Sequence, residues 1–208
     1  MELEQFASHN SVPFAILSHT WAEEEVTLQD FQQSHAQEMV GYKKIRGCCQ
    51  QAAFDGFDHV WIDTCCIDKS SSSELSEAIN SMYLLYTTST TCYAYLADVS
   101  SKDTQKDIVE SFAQSRWFTR GWTLQELIAP DTVVFYTKEW EQLWSRNAMG
   151  DLISRITGIP NSVLASRTGD DEVSVAMRMS WAANRQTTRV EDRAYCLMGI
   201  FGVNSKFI

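Results

Sequence analysis

The stretch Phe14–Trp21, with the sequence FAILSHTW, joins four apolar residues to a polar and aromatic end. A short apolar run of this kind predicts a buried β-strand that leads into a loop. The stretches His59–Asp63 (HVWID) and Thr91–Leu96 (TCYAYL) have the same form, and Thr132–Tyr136 (TVVFY) predicts a fourth strand. The polar residues at the strand ends are therefore candidates for function, because ligands of open parallel sheets bind beyond the carboxyl ends of the strands.

Helical patterns separate these strands. Apolar residues recur at helical spacing over 42–54, which Asp55 and Gly56 close, and over 75–86 after a Ser-rich cap. Further helices are predicted near 106–114, 122–127, 143–156, 173–183 and 191–198. Alternating strands and helices require crossover connections. The sequence thus predicts an α/β fold with a mostly parallel, doubly wound sheet and additional C-terminal helices.

The composition limits the class of protein. A chain of 208 residues with a net charge of −10 has room for one domain, and its acidic surface disfavours nucleic acid. No run approaches the roughly 20 apolar residues of a membrane span. The N-terminal residues carry Glu2 and Glu4 where a secretory signal has a basic flank. We expect a single domain, 1–208, that lies in the cytoplasm and could form the N-terminal part of a longer protein.

The cysteines and histidines suggest neither a disulfide framework nor a metal site. The six cysteines include two adjacent pairs, Cys48-Cys49 and Cys65-Cys66, and lie mostly in apolar runs. Adjacent cysteines do not readily bridge each other, and a buried free cysteine behaves as a small apolar residue. The four histidines lack paired helical spacing, so we expect no metal.

Four segments together resemble one known family. They are FAILSHTW at 14–21, VWIDTCCIDK at 60–69, RGWTLQEL at 120–127 and TRVEDRAYCLMGI at 188–200. In this order they are similar to the fungal heterokaryon-incompatibility (HET) domain, and they span nearly the whole chain. The resemblance implies an effector of vegetative incompatibility and innate immunity that triggers cell death. In similar fungal proteins the domain precedes nucleotide-binding and repeat domains.

The HET domain in turn remotely resembles the TIR domain, a doubly wound fold with many members that split NAD at the nicotinamide–ribose bond. Those enzymes use a glutamate early in the helix after a central strand. The matching helix here offers Glu74, with Glu77 as the second choice. With Ser71 at the N-cap, Glu74 also fits the glutamate of a capping box. The resemblance implies NAD or a related nucleotide as substrate, with no other cofactor, and self-association.

Other residues in the matching segments are candidates for binding that substrate. Ser18, His19 and Trp21 follow the first strand, and Asp63 follows the second. Each also has a structural alternative, as a turn, a packed side chain or a loop cap. The densest polar and aromatic cluster in the sequence contributes three more candidates, Arg120, Trp122 and Glu126. These residues could equally have a structural role, as a buried tryptophan held in place by a buried ion pair.

Two other functions remain open on the residues alone. A non-enzymatic module could signal death by oligomerising. Where TIR enzymes have a tryptophan four residues before the glutamate, this chain has Ser70 before Glu74 or Ser73 before Glu77. A cysteine-based hydrolase could use Cys66 and His19, although no motif supports it.

Overall fold

The computed structural model describes residues 1–6, 12–165 and 173–203. The strands are β1 (Phe14–His19), β2 (His59–Trp61), β3 (Thr91–Tyr95), β4 (Val133–Tyr136) and β5 (Gln142–Ser145). The helices are α1 (Leu28–Phe31), α2 (Tyr42–Phe54), α3 (Ser72–Thr88), α4 (Gln105–Gln114), α5 (Thr123–Ile128), α6 (Gly150–Thr157), α7 (Asn161–Ala165), α8 (Val175–Ala182) and α9 (Asp192–Met198). Short 3-10 helices cover Ser34–Glu38, Arg116–Thr119 and Gly199–Phe201.

The five strands form one sheet in the order β2-β1-β3-β4-β5. The pairs of β1 with β2, β1 with β3 and β3 with β4 are parallel, and β5 is antiparallel to β4. This strand order is that of flavodoxin-like doubly wound folds, in which the chain reverses direction of winding next to β1. The predicted α/β class, with a mostly parallel sheet and C-terminal helices, is confirmed.

Helices cover both faces of the sheet and enclose two apolar cores. One face of β1 packs with α2, and its core includes Ala15 and Leu17 from β1 and Ile45 from α2. The opposite face packs with α3, α5 and the later helices, and its larger core includes Phe14 and Ile16. Because side chains alternate along a strand, neighbouring residues of β1 belong to different cores.

One predicted helix was wrong over its first part. The stretch 143–156 was expected to be helical throughout, but β5 occupies Gln142–Ser145 and α6 begins only at Gly150. A tight connection after β4 returns the chain along the same sheet edge, and the Thr137 amide donates to the Glu141 carbonyl at 3.0 Å. Pairing with β4 thus determines the conformation of residues whose spacing alone suits a helix.

The helix after β2 begins as predicted. Ser71 is the N-cap of α3, and its hydroxyl accepts a hydrogen bond from the Glu74 amide at 3.3 Å.

Within the described residues, no helix is both long enough and apolar enough to cross a membrane.

Candidate functional site

The polar ends of β1 and β2 meet at one edge of the sheet. His19 is the last residue of β1, and Asp63 follows two residues after the end of β2. The His19 imidazole Nε2 lies 2.8 Å from Asp63 Oδ1, and the Trp21 indole Nε1 donates to Asp63 Oδ2, also at 2.8 Å. The structure therefore brings together three of the residues that sequence reasoning selected.

Lys69 completes this group, which we call the Asp63 network (His19, Trp21, Asp63 and Lys69). The Lys69 ammonium donates to the Asp63 carbonyl at 2.8 Å and lies 4.2 Å from the centre of the Trp21 ring. Trp21 remains 46% exposed, so part of its indole is open to a ligand. Burial alone would raise the pKa of Asp63, but His19, Lys69 and the Trp21 N–H together hold that pKa below its ordinary value. Asp63 is an ionised carboxylate at neutral pH.

A buried ion pair supports the network from the α2 side. The Lys44 ammonium lies 2.6 Å and 2.8 Å from the two carboxylate oxygens of Glu25, and each side chain is only 9% exposed. Burial lowers the pKa of Lys44, while the Glu25 carboxylate opposes that shift. Glu25 Oε1 also lies 4.0 Å from His19 Nδ1, on the opposite side of the imidazole from Asp63. The ring is thus placed between two carboxylates.

Ser18 points to the opposite face of the sheet from His19. Its hydroxyl donates to Glu126 Oε2, and it accepts a hydrogen bond from the Trp117 indole Nε1 at 2.8 Å. The Tyr86 hydroxyl, which donates to the Leu17 carbonyl at 3.0 Å, also interacts with the Glu126 carboxyl and lowers its pKa. We call Ser18, Tyr86, Trp117 and Glu126 the Glu126 network.

The Glu126 network is buried, and its carboxyl is held in an unusual state. Glu126 is 7% exposed and Ser18 is fully buried. Burial, with a further contribution from the negative charge of Asp63, raises the pKa of Glu126 to about 8, although the Ser18 and Tyr86 hydrogen bonds and Arg185 oppose the shift. The carboxyl is therefore mainly protonated at neutral pH, and it acts there as a neutral hydrogen-bonding group.

In the part of the chain that the structure describes, neither glutamate of α3 forms a hydrogen bond with a residue of the two networks. Glu74 is exposed in the first helical turn, and its Oε1 accepts a hydrogen bond from the Asp68 amide at 2.8 Å. The capping box of the sequence analysis is thus altered: the Glu74 carboxylate closes the preceding loop at Asp68, while the Ser71 amide donates to the Asp68 carbonyl at 3.2 Å. Glu77 is also exposed.

The remaining candidates have structural partners. The Arg120 guanidinium Nη2 donates to the Thr188 hydroxyl at 2.8 Å, and no ion pair joins it to Glu126 or Asp63 in the described part of the chain. Trp122 is partly buried at the start of α5 and packs against the larger core. Arg120 thus holds the start of the 120–127 segment to the stretch that follows α8.

Sequence reasoning missed several residues of the two networks. Lys69 is the last residue of the matching segment 60–69. It was not predicted as a site residue, because a single lysine is usually solvated. Lys44 had a detectable signal: it lies four residues before Cys48 and eight before Ala52, on the buried stripe of α2. Tyr86 and Trp117 read as ordinary core residues, since only the fold shows that their polar atoms meet Ser18 and Glu126.

The thiols do not form a catalytic pair with His19. All six cysteines are free, with Cys49 and Cys66 partly buried and the others buried as expected. Cys66 Sγ accepts a hydrogen bond from the Ile62 amide at 3.4 Å, whereas the His19 imidazole is directed to Asp63. Among the described residues, no cluster of three or more acidic, histidine or cysteine side chains could hold a metal ion.

A solvent-open cavity of about 430 Å³ lies away from both networks, between α2 and Trp140. Glu139 lines it together with basic and amide side chains, which are Lys43, Arg46, Gln50 and Gln51. Trp140 has a left-handed backbone with φ of 65°, which is rare for a bulky residue. Gly47 accommodates its indole, because a Cβ at Gly47 would lie 2.2 Å from Trp140 Nε1. This feature packs the β4–β5 connection onto α2.

Comparisons with known proteins agree with the four segments. Residues 14–107 match the family model described as "Heterokaryon incompatibility protein (HET)". The chain is 48% identical over 202 residues to the Vegetative incompatibility protein HET-E-1 of Podospora anserina. That alignment covers 94% of this chain and 15% of the relative, so the chain spans a small part of the relative's length. No solved structure matches the chain.

Proposed function

This chain carries a heterokaryon incompatibility (HET) domain, and we propose that it acts in the cytoplasm as a cell-death effector of fungal vegetative incompatibility and immunity. The name of this relative, a vegetative incompatibility protein, supports the incompatibility role. Because the chain covers 15% of that relative, the proposal includes further domains, such as a nucleotide-binding switch and repeats, in a longer protein.

We further propose that the domain hydrolyses NAD at the nicotinamide–ribose bond. In this reaction the bond between C1′ of the ribose and N1 of nicotinamide breaks, and its electron pair leaves with neutral nicotinamide. The oxygen of water bonds to C1′, and the water proton passes to solvent. The transition state resembles an oxocarbenium ion, which a nearby carboxylate stabilises electrostatically.

The observation that supports this chemistry best is the ionised Asp63 carboxylate at the carboxyl end of β2. Each of its oxygens accepts one hydrogen bond, from His19 or from Trp21. A carboxylate offers about four acceptor positions, so both oxygens can also accept a ribose hydroxyl. The exposed part of the Trp21 indole supplies an aromatic wall beside it. Glu74, which is open to solvent in the first turn of α3, is the second carboxylate in the proposal.

The two carboxylates can be separated experimentally. NAD consumption by the purified 208-residue chain, at high concentration or clustered on a scaffold, is compared for Asp63→Asn, Glu74→Gln and Glu77→Gln. Glu110→Gln, an exposed residue of α4, is the control for loss of one negative charge. Loss of nicotinamide release in a folded Asp63 or Glu74 variant, with Glu110→Gln unchanged, identifies the essential carboxylate. Intact NAD with clustered and still toxic wild-type protein would exclude the hydrolase.

One observation favours the second candidate, a non-enzymatic module that signals by self-association. Three apolar side chains of α8 are unusually exposed: Val175 at 64%, Met177 at 44% and Met179 at 49%. Val175 and Met179 lie one helical turn apart and share a face of α8, and exposed apolar side chains that share a face mark interaction surfaces. If self-association alone kills the cell, Val175→Glu with Met179→Glu abolishes toxicity, and Asp63→Asn and Glu74→Gln retain it.

A further inference from the structure

A second cavity, of about 260 Å³, lies between α4, the 3-10 helix Arg116–Thr119, α6 and α8. We call it the Arg185 cavity. Its walls combine apolar and aromatic side chains with hydroxyl and amide groups: Phe118, Ile156, Trp181, Ser180, Asn184 and Arg185. Arg185 is the one charged residue among the described residues that line it, and no carboxylate is present in that lining.

Trp181 lines this cavity and carries an unsatisfied donor. The side chain is 3% exposed, and its indole Nε1 is buried without a hydrogen-bond partner among the described residues. Buried N–H groups nearly always have a partner, because leaving one unpaired costs the free energy of its lost hydration. A donor in this state is suited to a group that enters from outside the chain.

Arg185 presents a second such donor four residues later. Its Nη1 donates to the Arg120 carbonyl at 2.9 Å and to the Thr123 hydroxyl at 3.0 Å, and its Nε donates to the Trp181 carbonyl at 3.2 Å. The other terminal nitrogen, Nη2, is buried and has no hydrogen-bond partner in the part of the chain that the structure describes. The guanidinium is thus fixed in orientation with one N–H edge unused.

The charge of Arg185 also lacks an adjacent counter-ion. None of the ion pairs among the described residues includes Arg185. Burial lowers the pKa of Arg185 to about 10, which still leaves the side chain cationic at neutral pH. The carboxyl that interacts with it, Glu126, is mainly protonated at that pH. A buried cation without a paired carboxylate is costly, and an anion bound beside it would offset that cost.

We propose that the Arg185 cavity binds a small anionic ligand through a phosphate or carboxylate group that accepts hydrogen bonds from Arg185 Nη2 and Trp181 Nε1. The rest of the ligand packs against Phe118 and Ile156, which line the same cavity. None of the residues that line this cavity belongs to the Asp63 network, so anion binding here can be tested without NAD.

Isothermal titration of the 208-residue chain tests the site with inorganic phosphate and, separately, with acetate, at constant ionic strength. The variants are Trp181→Phe, which keeps an aromatic ring and removes the N–H, and Arg185→Gln, which removes the cation. Arg46→Gln is the matched control, because it removes an exposed positive charge from α2. We expect 1:1 binding to the wild type and to Arg46→Gln, about tenfold weaker binding to Trp181→Phe and none to Arg185→Gln.

The titration shows whether the cavity binds an anion and which anionic group it prefers. Binding of phosphate alone supports a phosphorylated ligand, and binding of acetate alone supports a carboxylate. Absence of saturable binding of both anions to the wild type, or equal affinity in Trp181→Phe, overturns the proposal. Arg185 also donates to the Arg120 carbonyl and the Thr123 hydroxyl, so circular dichroism must show that Arg185→Gln is folded. If it is not, the comparison of Trp181→Phe with Arg46→Gln decides alone.

Discussion

Replacing Glu126 with glutamine removes a buried ionisable group and keeps the shape of the side chain. Burial raises the pKa of this carboxyl to about 8, from an ordinary value of 4.5. Glu126→Gln retains an oxygen that accepts the Ser18 hydrogen bond and cannot ionise. The variant therefore measures how much ionisation of Glu126 destabilises the fold.

The sign follows from proton binding in the two states. Between pH 4.5 and pH 8 the unfolded chain has released the Glu126 proton while the folded chain retains it. The folded state binds more protons, so the free energy of unfolding falls as pH rises through this range and becomes level above pH 8. A difference between 4.5 and about 8 corresponds to up to about 5 kcal/mol. Below pH 4.5 both states are protonated and this loss is absent.

Urea unfolding followed by tryptophan fluorescence, at several pH values from 4.5 to 9, provides the measurement. Glu126→Gln should lie within about 1 kcal/mol of the wild type at pH 4.5, the size of one altered hydrogen bond. It should become more stable than the wild type by several kcal/mol at pH 8. Glu110→Gln, on the exposed side of α4, should follow the wild type throughout. A stability difference between Glu126→Gln and the wild type that stays constant from pH 4.5 to pH 8 would refute the reasoning.

Three further predictions concern the strand end, the start of α3 and the C-terminal helices. Asp63→Asn should destabilise the fold at neutral pH, and in urea titrations the difference should shrink below about pH 4, because a depressed pKa contributes stability that is lost as pH falls through it. Ser71→Ala should lower the free energy of unfolding by about 1 kcal/mol through loss of the N-cap, whereas Glu74→Gln, which keeps an acceptor for the loop, should change it by less than about 0.5 kcal/mol. Gly199→Ala should lower the melting temperature measured by calorimetry, at a cost of about 1–3 kcal/mol, because its Cβ would lie 2.1 Å from Tyr83 Cβ; an unchanged melting temperature would contradict this packing.

The apolar runs were sufficient to predict four strands, because β1, β3 and β4 lie inside the covered sheet and are mostly buried, and β2 at its edge is half-buried. The fifth strand could not be predicted in this way. Leu143 and Trp144 lie in β5 because this strand pairs with β4. The spacing of apolar residues within 142–145 contains no record of that pairing. The strand order likewise depends on which faces the helices cover, which is a property of the whole chain.

Only part of the candidate site could be predicted, because most of its contacts depend on the fold and not on local sequence. The rule that ligands meet the carboxyl ends of strands selected His19 and Asp63, and the structure shows them in contact. The same rule selected Ser18 and His19 together as candidates for one site, whereas alternation along β1 directs them to opposite faces of the sheet. The proposed pairing of Arg120 with a carboxylate depended on the path of the chain after α8, where Thr188 is its partner.

The two networks meet through adjacent residues of β1, and their charges are coupled across the sheet. The negative charge of Asp63 contributes to the raised pKa of Glu126. Removing that charge should therefore make ionisation of Glu126 less costly, so Glu126→Gln should stabilise an Asp63→Asn background less than it stabilises the wild type at pH 8. At pH 5 Glu126 is protonated in both backgrounds, and the two substitutions should add. A double-mutant cycle by urea unfolding should thus give a coupling energy of about 0.5–3 kcal/mol at pH 8 that disappears at pH 5. Coupling of equal size at both pH values would instead indicate a rearrangement of β1, because charge repulsion requires an ionised Glu126.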